Sequence, residues 1–261
     1  MCTTCSCATK KRHDHGHDHH DHHHHHHHGH GDPGHGDREE AKRITVEADI
    51  LARNDGLAAG NRALFREKGI FALNLVSSPG SGKTTILERT LRDLSGRFRC
   101  AVIEGDQQTD NDARRIAATG APVRQINTGA GCHLDAHMVR HAVDEFDLDS
   151  LDILFIENVG NLVCPASFDL GEDHKVVVLS TTEGEDKPLK YPHMFHAADV
   201  MLMNKVDLLP HLDFDLGGCK EMALRVSHGI DIFELSARSG QGMELWYGWL
   251  ERNVARKKQE L

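Results

Sequence analysis

Cysteine and histidine are concentrated at the beginning of the chain. Thiols occupy Cys2, Cys5 and Cys7 in the sequence MCTTCSC, and histidines alternate with Asp and Gly from position 13 to position 35. Three thiolates with the α-amine would form a four-coordinate site that suits square-planar Ni(II) better than Zn(II). We therefore predict that the three cysteines bind nickel and that the histidines form a weaker reservoir. Ligand type alone leaves cobalt, copper and zinc open.

A phosphate-binding loop is predicted after the first apolar segment. The sequence SSPGSGKTT (77–85) fits the pattern G-x-x-x-x-G-K-[ST] at Gly82, Lys83 and Thr84, with Ser77 in place of the first glycine. Backbone N–H groups of such a loop surround the phosphates, the lysine neutralises their charge, and the threonine hydroxyl binds Mg²⁺. The residues predicted to contact the nucleotide here are Gly80, Ser81, Gly82, Lys83, Thr84 and Thr85.

A later motif indicates which base is bound. NKVD (204–207) follows an apolar segment, and its Asp207 carboxylate can accept hydrogen bonds from both N1–H and the exocyclic amine of guanine. We expect Asn204 to hold the loop and Lys205 to lie along the base. The backbone at Ser236 and Ala237, in the sequence SAR, is predicted to donate to guanine O6. The site is therefore predicted to bind GTP.

Two acidic segments complete the predicted nucleotide site. Asp106 in EGDQQTDND (104–112) is a candidate Mg²⁺ ligand or water-positioning residue, and Glu157 in ENVGN (157–161) is a candidate Mg²⁺ ligand, directly or through water. The Gly160 N–H is predicted to sense the γ-phosphate. Lys83, Asp106 and Glu157 are the predicted catalytic residues. Because no arginine finger is evident, slow intrinsic hydrolysis is expected.

A second group of metal ligands follows the nucleotide-sensing segments. Cys132 and His133 are predicted at the start of a helix, whose N-terminus would lower the thiol pKa, and Cys164 follows ENVGNLV. Three ligands leave the shell to be completed by water or by a second subunit. His137 and His141 follow at four-residue intervals and share a helix face, either extending a metal path or lying as solvated surface side chains.

Apolar segments alternate with amphipathic ones from residue 70 onward. This alternation predicts an α/β fold with a mostly parallel sheet covered by helices on both faces. In such a fold, functional sites lie at the carboxyl ends of the strands. The predicted strands are 71–78, 99–106, 122–127, 151–160, 175–184, 200–207 and 230–237. The predicted helices are 83–94, 109–119, 133–146, 213–228 and 242–257.

Composition sets the domain limits and excludes several functions. Residues 1–40 carry almost no large apolar side chains and are predicted to be a disordered tail, 41–69 a helical lead-in, and 70–261 the nucleotide-binding domain. A net charge of −10 disfavours nucleic-acid binding. No apolar run predicts a membrane span or a signal peptide. We expect a cytoplasmic protein whose cysteines are thiols or metal ligands.

Taken together, these motifs resemble those of the hydrogenase nickel-incorporation GTPases, the HypB family of SIMIBI-class P-loop GTPases. The resemblance covers nearly the whole chain and rests on MCTTCSC, the His-rich segment, SSPGSGKTT, EGDQQTDNDA, TGAGCHLDA, ENVGNLVCP and NKVDLL. It implies a tight nickel site at the three terminal cysteines. It also implies that Cys132, His133 and Cys164 bind Ni²⁺, or Zn²⁺, at a nucleotide-dependent dimer interface.

The implied function is that of a GTP-hydrolysing nickel metallochaperone. Such a protein, as a homodimer when bound to GTP, would deliver Ni(II) to the [NiFe]-hydrogenase large-subunit precursor with a HypA-like zinc-containing accessory protein. A nickel storage or buffering protein is an alternative, against which the intact Lys83, Thr84, Asp106 and Asp207 argue. A urease-type nickel accessory GTPase would have Cys-Pro-His in place of the adjacent Cys-His. An ATP-dependent kinase is disfavoured by NKVD.

Overall fold

The structure is a computed structural model that describes residues 34–107 and 110–261, with the backbone alone for 34–44. The predictions for the tail, including the nickel site of Cys2, Cys5 and Cys7, lie outside these residues. The chain divides into two units, residues 1–50 and 51–261. In the first unit, the described residues are helical and belong to helix α1 (Gly34–Glu67), which continues into the second unit. The predicted lead-in is therefore one helix, and it begins within the segment predicted to be disordered.

Seven parallel strands form a single sheet in the second unit, with the order β3-β2-β4-β1-β5-β6-β7. The strands are β1 (Phe71–Ser77), β2 (Cys100–Asp106), β3 (Val123–Asn127), β4 (Ile153–Gly160), β5 (His174–Ser180), β6 (Val200–Asn204) and β7 (Asp231–Glu234). The prediction of a parallel α/β sheet is confirmed. Strands β1 and β4 are adjacent at the centre of the sheet, so the segments that follow them lie side by side at the carboxyl ends of the strands.

Helices cover both faces of this sheet. They are α2 (Lys83–Asp93), α3 (Asn111–Ala117), α4 (Ala136–Val143), α5 (Lys187–Lys190), α6 (Pro192–Ala197), α7 (Leu216–Val226) and α8 (Met243–Gln259). Alternate residues of β1 point to opposite faces. Phe71, Leu73 and Leu75 belong to a core shared with α2, α3 and α8. Ala72 belongs to the other face, where residues of α1 and α4 pack.

Several element boundaries differ from the prediction. Helix α4 begins at Ala136 rather than at residue 133, because the Asp135 side chain caps it by accepting a hydrogen bond from the Met138 N–H at 2.8 Å. Cys132 and His133 therefore lie in the loop before the helix and not in its first turn, where they were predicted. The short helices α5 and α6 were not predicted. None of the described helices is long and apolar enough to span a membrane.

Candidate nucleotide site and metal cluster

The phosphate loop connects β1 to α2 through two glycines with left-handed backbone conformations. Gly80 has φ 77° and Gly82 has φ 96°, a region that other residues rarely adopt. The buried Lys83 ammonium donates to the Ser77 hydroxyl at 2.9 Å. Ser77, the position that departs from the glycine pattern, thus orients the lysine. Gly82 precedes the helix directly, as an anion site at a helix N-terminus requires.

Asn204 joins the phosphate loop to the predicted base-binding loops. Its buried side-chain amide donates to the Ser81 carbonyl at 2.9 Å, and its amide oxygen accepts from the Ala237 N–H at 3.2 Å. A Cβ atom at Gly82 would collide with the same Asn204 amide nitrogen. The predicted role of Asn204 in holding loop geometry has this contact as its basis.

We expect Gly82→Ala to weaken nucleotide binding about tenfold and to lower the free energy of unfolding by about 1–3 kcal/mol, because alanine is strained at positive φ. Displacement of Asn204 would add to both effects. Calorimetric titration with GDP and urea denaturation measure the two quantities. Gly96→Ala is the matched control, since Gly96 also has positive φ, 81°, but an added Cβ there meets nothing within 4 Å. Equal loss of GDP affinity in both variants would contradict the role of the Asn204 contact.

The predicted base-binding residues lie beside this loop. Lys205 has φ 65°, the left-handed value, and its ammonium donates to the Gly80 carbonyl at 2.8 Å. The half-buried Asp207 carboxylate accepts no hydrogen bond within the described part of the chain and is available to a ligand. The Ser236 N–H donates to the Gln241 carbonyl at 2.8 Å, while the Ala237 N–H has its longer bond to Asn204. Donation to guanine O6 would therefore come from Ala237, through a shared or rearranged hydrogen bond.

Glu157 lies fully inside the site, next to the threonine of the phosphate loop. The Thr84 hydroxyl donates to Glu157 Oε1 at 2.7 Å, and within the described residues Glu157 Oε2 has no hydrogen-bond partner. Burial raises the pKa of Glu157 and lowers that of Lys83, although the two charges oppose these shifts. Gly160, at the end of the same strand, packs so closely on the phosphate loop that a Cβ there would lie 3.2 Å from Pro79.

Glu104 is an acidic residue of this site that the sequence analysis missed. It pairs with Glu157 in the register of β2 and β4, and its Oε2 is also buried without a partner in the described structure. Burial, and then the nearby Glu157 charge, raise the pKa of Glu104 to about 8. Its spacing of two from Asp106 on one strand, which puts both side chains on one face, could have identified it. Asp106 itself ends β2, where its Oδ1 accepts from the Gln107 N–H at 2.6 Å.

The donor set of this pocket fits Mg²⁺. Only oxygen atoms are available from Thr84, Asp106 and Glu157, and a buried carboxylate oxygen without a partner is unfavourable unless a cation or a proton compensates it. Mg²⁺ takes oxygen ligands and retains several waters, so one or two carboxylates suffice. The assignment of these three residues to Mg²⁺ remains a prediction.

Cys132, His133 and Cys164 form one cluster although 32 positions separate the two cysteines. The thiols lie 2.8 Å apart, Cys132 Sγ is 3.6 Å from His133 Nδ1, and all three ligand atoms lie within 4.8 Å of one another. A disulfide would require about 2.05 Å between the sulfur atoms. Two thiolates on one ion would separate to roughly 3.3–3.8 Å at metal–sulfur distances of about 2.3 Å. The cluster therefore needs only a small opening to hold an ion.

The His133 ring is positioned by a neighbouring aromatic side chain. Its centroid lies 3.9 Å from that of Phe168, with 36° between the ring planes. Partial burial lowers the pKa of His133, which favours the neutral imidazole that a metal requires. Cys100 and Cys219 differ in environment, since burial raises the pKa of each thiol to about 12. We therefore predict that these two are inert core thiols.

Buried amides connect the cluster to the strand that carries Glu157. The fully buried Asn158 side chain accepts from the Leu134 N–H at 3.0 Å and donates to the Asn74 side chain at 3.2 Å. Asn161, after the end of β4, donates to the Cys132 carbonyl at 3.2 Å. The residues flanking Glu157 and Gly160 thus hold the loop that bears two of the three candidate metal ligands.

Comparison with known proteins identifies the family. The nucleotide-binding domain shared by CobW, HypB and UreG matches residues 71–234. The hydrogenase maturation factor HypB of Rhizobium leguminosarum bv. viciae is 64% identical over 214 residues, which is 82% of this chain and 72% of that protein. The chain belongs to the HypB family of hydrogenase maturation factors.

Solved structures of HypB proteins have the same fold. The crystal structure of HypB from Helicobacter pylori in complex with nickel superposes with a TM-score of 0.74 at 40% identity, covering 78% of this chain and 96% of that one. HypB from Archaeoglobus fulgidus gives a TM-score of 0.73 at 39% identity and covers 78% and 99% of the two chains. The P-loop GTPase fold and the family resemblance are both confirmed.

Proposed function

We propose that the protein is a GTP-hydrolysing nickel metallochaperone that delivers Ni(II) during [NiFe]-hydrogenase maturation. The observation that carries this proposal is the attachment of the loop before α4, which bears Cys132 and His133, to the end of β4. Asn158 and Asn161 make this attachment through their side-chain hydrogen bonds. Membership of the HypB family and the nickel complex of a relative support the choice of cargo and recipient. Two thiolates and an imidazole also suit Ni(II), although Zn(II) would fit the same ligands.

In the proposed mechanism, the protein positions GTP and neutralises its phosphates. Lys83 lies beside the phosphates, whose negative charge keeps its buried ammonium protonated, and the loop N–H groups from Gly80 to Thr85 surround them. Thr84, Asp106 and Glu157 would hold Mg²⁺, which supplies further positive charge when bound. Asp106 is the candidate for orienting the attacking water. Without an arginine finger, intrinsic turnover is slow until a partner assists.

The nucleotide would control the metal by moving the loops at the ends of β2 and β4. A γ-phosphate contact at the Gly160 N–H would shift the backbone between Gly160 and Cys164. Asn158 and Asn161 would transmit this shift to Cys132 and His133. Such control requires the metal to bind the two nucleotide states with different affinity, because only differential binding shifts an equilibrium.

A homodimer would complete the metal shell. Each chain supplies three ligands, all half-exposed, so two clusters facing each other across a two-fold axis could share an ion. GTP in both subunits would favour this dimer, and hydrolysis would release Ni(II) to the hydrogenase large-subunit precursor with the help of a HypA-like accessory protein. A cytoplasmic location agrees with thiols that must stay reduced.

The alternative function is nickel storage or buffering, in which the nucleotide has no effect on the metal. A competition titration of Ni(II) on the chain from residue 38, with GDP and then with a non-hydrolysable GTP analogue, separates the two functions. This truncation removes the terminal cysteines and the histidines up to position 35 and retains residues 51–261. We expect the affinity or the nickel-to-dimer ratio to change with nucleotide, and to lose that dependence in Cys164→Ser. Superimposed titrations would contradict control by GTP and favour storage.

A further inference from the structure

Two asparagines occupy the buried face of α1, where a helix normally places apolar side chains. Asn54 and Asn61 are separated by about two helical turns, so they lie on the same side of the helix as Ala58 and Phe65. Asn54 is 5% exposed and Asn61 is 1% exposed. Burial of an amide is unfavourable unless its polar atoms form hydrogen bonds, so both side chains require partners.

Both amides bind the segment that follows Cys132 and His133. The Asn54 side-chain oxygen accepts from the Ala136 N–H at 2.9 Å, and Asn61 Nδ2 donates to the Ala136 carbonyl at 2.9 Å. Ala136 is the first residue of α4, directly after the loop that bears the two candidate ligands. Helix α1 therefore holds the carboxyl end of that loop.

The same two amides also bind the segment that follows Cys164. Asn54 Nδ2 donates to the Asp169 carbonyl at 2.8 Å, and Asn61 Nδ2 donates to the Leu170 carbonyl at 3.0 Å. A single nitrogen atom of Asn61 thus joins a carbonyl of each segment. Because each asparagine contacts both segments, α1 fixes the two segments relative to each other.

Close packing accompanies these hydrogen bonds at Gly171. This residue has φ 92°, and a Cβ there would lie 2.6 Å from the Asn61 Cβ and 2.7 Å from the Ala58 carbonyl oxygen. Only glycine permits such an approach of the helix. On the exposed side of the same contact, the Arg62 guanidinium pairs with the Asp169 carboxylate at 2.6 Å. Helix α1 is therefore packed tightly against this segment.

We propose that Asn54 and Asn61 are positioning residues for the candidate metal cluster. By joining two distant segments to one helix, they hold the Cys132 and Cys164 thiols at the short separation that a shared ion requires. The amides contact backbone atoms and not the ligands, so they act through the geometry of the loops. That this geometry serves nickel binding rests on the proposed function, whereas the convergence of the thiols is measurable without metal.

Cross-linking with dibromobimane tests this positioning in the metal-free, full-length protein. Two thiols each displace one bromide, so a bridge forms where thiols converge, and peptide mass spectrometry distinguishes the Cys132–Cys164 product from products of the terminal cysteines. We expect Asn61→Leu, which has a side chain of similar size without an amide, to lose most of this product. The free Ni(II) concentration that protects Cys132 and Cys164 from iodoacetamide should rise about tenfold in this variant.

Two control variants separate positioning from general stability. Arg62→Ala removes an exposed ion pair with Asp169 from the neighbouring position and should leave the cross-link unchanged. Asn253→Ala removes a buried asparagine of α8 that donates to the Trp249 carbonyl, and should lower stability without loss of the product. The GDP affinity of Asn61→Leu, measured by calorimetry, should stay unchanged, because the described bonds of this amide run to the metal-loop segments.

Equal cross-linking in Asn61→Leu and in the unsubstituted protein would overturn the proposal. An equal loss in Asn253→Ala, or a parallel loss of GDP affinity, would also overturn it. Asn54→Leu repeats the test at the other amide, in case Asn61→Leu does not fold. Loss of the cross-link in these variants, together with a Ni(II) affinity of the unsubstituted protein that is the same with GDP and a GTP analogue, would support positioning and contradict control by GTP.

Discussion

Replacement of Asp207 by asparagine is expected to change the preferred base from guanine to xanthine. The half-buried Asp207 carboxylate would accept from N1–H and from the exocyclic amine of guanine, whereas an asparagine side chain at this position offers one acceptor and one donor. The donor would face the guanine amine, and both groups would lose a charge-assisted hydrogen bond. We expect GDP to bind about 10²–10³-fold more weakly to Asp207→Asn, and XDP, with a carbonyl in place of the amine, to bind more tightly than GDP.

Calorimetric titrations with GDP, XDP and ADP measure this change. Asp213→Asn is the matched control, because Asp213 is an exposed aspartate shortly after the same motif and should leave all three affinities unchanged. In the unsubstituted protein, ADP should bind at least about 100-fold more weakly than GDP, since adenine lacks both donors. Comparable affinity for ADP and GDP would contradict the prediction of a guanine-specific site and support an ATP-dependent function.

Asn158→Ala is expected to uncouple the metal cluster from the nucleotide and to destabilise the fold. The substitution leaves the buried Leu134 N–H and the Asn74 amide oxygen without partners and removes the acceptor of the Val159 N–H. Each buried polar group without a partner costs about 1–3 kcal/mol, so we expect the free energy of unfolding to fall by about 2–5 kcal/mol. Because the loop before α4 loses its anchor, the proposed nucleotide dependence of Ni(II) affinity should disappear.

A second buried asparagine separates the two effects of that variant. Asn253 donates to the Trp249 carbonyl at 2.9 Å within α8, the last helix of the chain. Asn253→Ala should lower stability but keep the difference between the Ni(II) titrations with GDP and with the GTP analogue. Urea denaturation and the nickel titrations, the latter made below the unfolding transition, give the comparison. A nucleotide effect that persists in Asn158→Ala would show that coupling does not pass through this residue.

Local motifs were predictable because the residue types within each motif determine its backbone conformation. SSPGSGKTT specifies a strand, a loop with glycines where φ is positive, and a helix start at Lys83, all of which the structure has. NKVD likewise ends β6 and turns through the left-handed Lys205. The start of α4 was not predictable from the apolar spacing, since the capping bond of Asp135 decides it. The predicted ligand roles of all these residues stay predictions.

Contacts between distant segments needed the tertiary structure. The pairing of Glu104 with Glu157, and the approach of Cys164 to Cys132, depend on β4 lying between β2 and β1, an order that the alternation of strands and helices does not determine. Asn74, Asn158 and Glu172 appear in the sequence as isolated polar residues, and only the fold joins them by hydrogen bonds.

The phosphate loop and the guanine motif followed from the amino-acid sequence because each depends on residues within about one strand-loop-helix unit, and the fold class followed from the alternation of such units. The candidate metal ligands followed from residue type and from the family resemblance. Packing between segments decided which acidic groups share the predicted magnesium pocket, how the loop that bears Cys132 and His133 is attached to the end of β4, and that His137 and His141 converge at their Nε2 atoms. These features depend on strand order, burial and side-chain direction, none of which can be read from spacing along the chain.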